Sequence, residues 1–96
     1  MITWVLYDIS NDRARTNVAR LCKQAGLYRV QYSVFLGKLE DNEKDTLHLE
    51  IEALIAENID KVYIFPMRKK DLQASLLLGQ AFDKKLINDQ VKALFL

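Results

Sequence analysis

Ile2-Thr3-Trp4-Val5-Leu6-Tyr7-Asp8-Ile9 is the stretch on which the fold turns. It is rich in β-branched and aromatic residues and reads as a strand. Alternate side chains of a strand face opposite ways, which puts Trp4, Leu6 and Asp8 on one side and Val5, Tyr7 and Ile9 on the other. An antiparallel strand with one wet face alternates apolar and polar residues. This one is apolar on both sides as far as Asp8, so both sides need cover.

Outward from it, Ser10-Asn11-Asp12 offers capping oxygens. Ala14, Val18, Leu21, Cys22 and Ala25 then recur at helical spacing before Gly26, predicting a helix over about 12–25. Tyr28 to Leu39 returns to a period of two. Tyr28, Val30, Tyr32, Val34 and Leu36 oppose Arg29, Gln31, Ser33, Phe35 and Gly37. No Asn-Gly or Asp-Gly marks a reversal, so the pattern accommodates one long strand or two. Asp41 or Asn42 caps a second helix, striped by Leu47, Ile51, Leu54 and Ile55 and ended by Asn58. Lys61-Val62-Tyr63-Ile64-Phe65-Pro66 is the next strand, again apolar on both sides. Arg68 to Asp71 reads as a charged connection, and Ser75 to Gly79 as one more short strand.

Strand, helix, one or two strands, helix, strand is the α+β order of a ferredoxin-like βαββαβ sandwich, here with an extra C-terminal strand. Two helices cover one face of its sheet only. The other face and the apolar end Leu94-Phe95-Leu96 both want a surface. We therefore expect a homodimer packed sheet to sheet, with residues 1–80 as the domain and 81–96 as a tail docked on, or exchanged with, the partner. The alternative is that the segment after Gly79 folds back over its own sheet.

Composition bounds the rest. With 96 residues, half of them hydrophobic and 28% charged, the chain is one domain and neither a disordered tail nor a low-complexity linker. A single cysteine excludes a disulfide scaffold and fits a reducing cytoplasm. No apolar run approaches spanning length and no basic leader precedes one, so a cytoplasmic protein without membrane contact is expected. The formal net charge of +1 is unevenly spread: residues 39–60 hold eight Asp/Glu against one Lys, leaving both flanks basic. A positive face can hide behind a near-neutral total.

Asp8 is the sharpest candidate for chemistry. It ends an apolar strand, and Ser10, Asn11 and Asp12 already supply caps, leaving its carboxylate for a catalytic or metal role. One carboxylate makes a poor enzyme, but Mg²⁺ often takes only one or two and completes its shell with water and phosphate oxygens. A two-fold axis near the end of the strand would bring two copies of Asp8 together, so the dimer and the lone acid explain each other. Arg13, Arg15, Arg20 and Arg29 suit phosphate oxygens. Arg29 shares its strand face with Ser33 and Phe35, a row that would bind phosphate and stack a base if exposed; the alternative is a solvated or dimer-buried face. Cys22 lies on a core stripe and His48 on a wet one, and with one of each no zinc site or Ser/His/Asp triad is supported.

Tyr7-Asp8-Ile9-Ser10 with Asp12 and Arg15, then Gly26-Leu27-Tyr28-Arg29-Val30-Gln31-Tyr32-Ser33-Val34-Phe35, closely resembles CRISPR-associated protein 2, an adaptation-module family. The likeness continues through Lys61 to Pro66 and Leu78-Gly79, roughly residues 1–80. It implies two strands within 28–39, a homodimer, and Asp8 as a Mg²⁺ (or Mn²⁺) ligand paired across it. It implies a metal-dependent endonuclease acting on single-stranded RNA or double-stranded DNA, and a bridge to the integrase, CRISPR-associated protein 1, in spacer acquisition. Tyr7, Arg15, Arg29, Ser33 and Phe35 match positions the family uses around its site. Asn17 stands where some members carry a second arginine. The second function that the resemblance allows is a non-catalytic DNA-binding adaptor for that integrase.

Overall fold

The computed structural model describes residues 1–82 and 89–95. Its elements are β1 (Ile2–Asp8), α1 (Asp12–Gln24), β2 (Tyr28–Gln31), β3 (Val34–Lys38), α2 (Asp41–Glu52), β4 (Lys61–Met67), α3 (Lys69–Ala74) and α4 (Asp89–Ala93). The strands form one antiparallel sheet in the order β2-β3-β1-β4, the ferredoxin-like arrangement. β1 is flanked by β3 and β4, so the strand that ends in Asp8 is central.

Helix α1 starts where Asn11 accepts the Ala14 N–H at 2.8 Å and ends before Gly26, whose φ of 93° lies in the left-handed region. Tyr32 and Ser33 make the reversal between β2 and β3. Gly37 on β3 has no room for a side chain, since a Cβ there would lie 2.9 Å from the Leu27 side chain and 3.1 Å from its Cα. Helix α2 opens on a capping box in which the Glu43 carboxylate accepts the Glu40 N–H at 2.8 Å. It ends at Glu52, short of Asn58. Leu54 and Ile55 keep the apolar spacing after the helix has stopped and pack on the core from a turn.

Two cores sandwich the sheet. Val5, Tyr7, Ile9 and Phe35 meet Val18, Ala19, Leu21 and Cys22 of α1 and Leu47 and Ile51 of α2 on one face. Ile2, Trp4, Val30 and Leu36 form the other, with Leu72 of α3 and Val91 and Leu94 from the end of the chain. Phe82 packs there too, 6.4 Å from Trp4 and 5.2 Å from Phe95 between ring centroids. The described part of the closing segment thus lies on the chain's own sheet, the arrangement the sequence left as the alternative to docking on a partner. Residues 83–88 and Leu96, also within the expected tail, lie outside the described residues.

Two local expectations need correction. The connection after β4 is a short helix, α3, because burying Leu72 against the second face needs only one turn. The extra strand expected at 75–79 is not formed: residues 75–78 carry no regular structure, and Leu76 and Leu78 are 87% and 81% exposed. No described helix is long and apolar enough to cross a membrane.

Candidate nucleic-acid interface and acidic centre

Asp8 is the last residue of β1, paired in register with Lys61 of β4, and it is exposed. The loop that follows is held from two sides. The Arg15 guanidinium donates to the Ile9 carbonyl at 3.0 Å and to the Asp12 carboxylate. Asp60 accepts the Ser10 N–H and hydroxyl, both at 3.2 Å, and the Ala56 N–H at 2.8 Å. These bonds, Ala56 first, hold the Asp60 carboxyl below its ordinary value. Sequence reasoning missed Asp60, a residue in a turn between helix and strand; its one signal was being the acid nearest the start of a strand that pairs with β1.

With Asp12 paired and Asp60 satisfied, Asp8 is the one acid of this loop region whose carboxylate none of these bonds engages. Among the described residues no group of three His, Cys, Asp or Glu side chains is placed to hold a metal ion. In this loop region one chain offers a single unengaged carboxylate, which suits a hydrated ion such as Mg²⁺ that takes one or two carboxylates and fills its shell with water and phosphate oxygens.

Arg29 lies on β2 opposite Phe35 on β3, facing the helices. Its guanidinium carbon is 5.0 Å from the Phe35 ring centroid and 5.3 Å from that of Tyr32. Phe35 itself is fully buried and stacks on Tyr7, with centroids 6.3 Å apart. Phe35 therefore cannot stack a base. Its register opposite Val5 in the sheet, under the helix layer, commits it to packing. The exposed ring here is Tyr32, 68% accessible at the β2–β3 turn, a position the alternation assigned to the other face. Ser33 beside it accepts the Tyr7 N–H through its backbone carbonyl at 3.1 Å and is half-buried. Burial raises the Tyr7 pKa, and the neighbouring Arg29 opposes the rise.

Arg15, Arg29 and Tyr32 share a hollow of about 270 Å³ between α1 and the β2–β3 turn. A larger one, about 370 Å³ between α2 and β4, includes none of these residues. Cys22 is buried in the helix-side core and His48 pairs with Glu52 on the outside of α2, so neither belongs to the site.

The model of the CRISPR associated protein Cas2 family matches residues 1–74. The chain belongs to that family. The CRISPR-associated endoribonuclease Cas2 1 of Archaeoglobus fulgidus is 32% identical over 79 residues, covering 82% of this chain and 84% of that one. The CRISPR-associated endoribonuclease Cas2 of Desulforudis audaxviator is 40% identical over 75 residues, covering 78% and 71%. The crystal structure of Streptococcus pyogenes Cas2 at pH 6.5 superposes with a TM-score of 0.69 at 26% identity, covering 82% of this chain and all of that one. The Cas2 match takes in the whole sheet and both long helices, with Asp8, Arg15, Arg29 and Ser33 inside it.

Proposed function

We propose that the chain is one half of a homodimeric, metal-dependent endonuclease that cleaves RNA, and DNA where it binds it, within CRISPR adaptation. The observation that carries this is Asp8: an exposed carboxylate at the end of a central strand, on a loop anchored by Arg15 and Asp60, with no second free acid beside it in that loop. Two such ends brought together across a two-fold would supply the two carboxylates that a hydrated Mg²⁺ or Mn²⁺ takes. Bound there, the ion would polarise the scissile phosphodiester. The protein's own groups do the rest. Arg29 and the free donors of Arg15 hold phosphate oxygens, Tyr32 offers a stacking face, and Ser33 fixes the turn that carries it.

The dimer is supported by what remains uncovered. Leu76, Leu77 and Leu78 are exposed, as are Tyr63 and Phe65 on edge strand β4. The contacts that Val91 and Leu94 make with their own sheet are also available between two chains that exchange their ends. Replacing Asp8 by alanine is expected to abolish Mg²⁺-dependent cleavage of single-stranded RNA while leaving the dimer intact. Cleavage retained in the rigorously purified variant would refute the catalytic reading.

A second reading has its own support. An adaptor that bridges the CRISPR-associated integrase to DNA needs cations for phosphate and an exposed apolar segment for docking, and the basic lining of the hollow together with the exposed Leu76, Leu77 and Leu78 supports that reading. It predicts spacer acquisition by Asp8→Ala and its loss when the exposed Leu76 and Leu78 are both replaced by serine.

A further inference from the structure

We propose that the hollow between α1 and the β2–β3 turn is a pocket for the terminal phosphate of a nucleic-acid strand. The proposal rests on the nucleic-acid reading above and deepens it. Arg15, Arg20, Lys23 and Arg29 line the hollow with Tyr32, and no acidic residue does. Positions 15, 19 and 23 follow one another at four-residue spacing, so they share a face of α1. In the middle of that face stands Ala19, only 6% exposed, whose small side chain leaves the floor open. Cations of a helix and of a strand thus surround a concave space, unlike the flat basic stripe of a solvated helix.

Arg29 is set for this before any ligand arrives. Its guanidinium is flanked by the Tyr32 and Phe35 rings, and its Nε is buried with no hydrogen-bond partner among the described residues. A planar fork held this way matches phosphate oxygens with little further ordering. The number of cations selects the kind of phosphate. An internal phosphodiester carries one negative charge, whereas a terminal phosphomonoester carries about 1.5 to 2 near neutral pH. Arg20, Lys23 and Arg29, in no ion pair among the described residues, together with Arg15, which is shared with Asp12, favour the more highly charged group. Arg15 to Lys23 spans about 12 Å of helix rise, so a strand end seated here leads along α1 back to the loop that carries Asp8.

The test is binding of short single-stranded RNA of one sequence, with a 5′-phosphate, a 3′-phosphate or hydroxyls at both ends. It is run with EDTA present so that no cleavage intervenes. Wild type is expected to bind one phosphorylated form about tenfold more tightly than the hydroxyl form. Arg20→Gln with Lys23→Gln, both exposed positions, should remove that preference, lower the salt dependence by about two charges and leave the melting temperature unchanged. Equal affinity for all three forms, or a preference that survives the double variant, overturns the pocket. Should wild type bind no RNA, the reading of the preceding section fails instead. The pocket is then judged with a nucleoside monophosphate against its nucleoside: preference for the monophosphate, lost in the double variant, upholds it, and no preference overturns it.

Discussion

Ser10 donates both its backbone N–H and its hydroxyl to one carboxylate oxygen of Asp60, each at 3.2 Å. Asp8 is two residues earlier, so this pair fixes where the candidate acid stands. It also ties the end of β1 to the turn that feeds β4, because the other Asp60 oxygen accepts the Ala56 N–H.

Removing that anchor is expected to loosen the Asp8 loop without touching Asp8. Asp60→Ala should lower the melting temperature by several degrees and weaken metal-dependent cleavage. The pH sign follows from the direction of the shift. The folded-state pKa of Asp60 is lowered, so its contribution is complete above the unfolded value of about 3.9 and is lost as pH falls through the lower folded value. Melting curves of wild type and variant should therefore converge in strong acid and separate above about pH 4.

Phe35 and Tyr32 should divide along structural lines. Phe35→Ala empties a fully buried site between Tyr7 and Arg29 and is expected to cost about 3–5 kcal/mol in denaturant unfolding. Tyr32→Ala should leave stability nearly unchanged and weaken single-strand binding by about 1–3 kcal/mol, the worth of one stacked base.

Arg29→Ala should reduce the salt dependence of RNA binding by about one charge. Arg29→Lys restores the charge but not the planar group lying over two rings, so it should recover the salt slope and only part of the affinity.

Burial pushes the Cys22 thiol up to about 12. Its neutral form is favoured in the folded state, so that stabilisation is full below the ordinary value of 9.0 and is lost as pH rises toward 12. At pH 8 the native thiolate is about a thousandfold scarcer than in the unfolded chain. Iodoacetamide should label Cys22 only after denaturant is added.

Much of this architecture was written in the alternation of β1 and β4, where apolar residues on both sides demanded a covered sheet on both faces. Helix α1 was equally plain, with Asn11 and Gly26 at its ends. The reversal at Tyr32-Ser33 was not, for a geometric reason. A two-residue reversal pairs odd with even positions, as Gln31 does with Val34, but the irregularity between Arg29 and Gln31 restores Arg29 to Phe35 and Tyr28 to Leu36. The period of two therefore runs through the turn unbroken, and two strands read as one. Helix α2 seemed longer than it is because Leu54 and Ile55 keep the stripe from a turn. α3 has one buried residue, Leu72, and so no period to read.

Of the candidate site, Asp8, Arg15 and Arg29 stood out as candidates by residue type and position. Phe35 was placed on the face it shares with Arg29, but whether that face is open or covered stayed undecided, since alternation gives the side and not what covers it. Asp60 was silent because its role lies in bonds to Ser10 and Ala56 that only the folded chain brings together.

Metal stoichiometry tests a centre shared between two chains most directly. Mn²⁺ titrated calorimetrically into the purified protein should bind at one ion for every two chains, and Asp8→Ala should bind none at that site while sedimenting as the same dimer. One ion per chain, or an isotherm unchanged by the substitution, would contradict a centre built from two copies of Asp8.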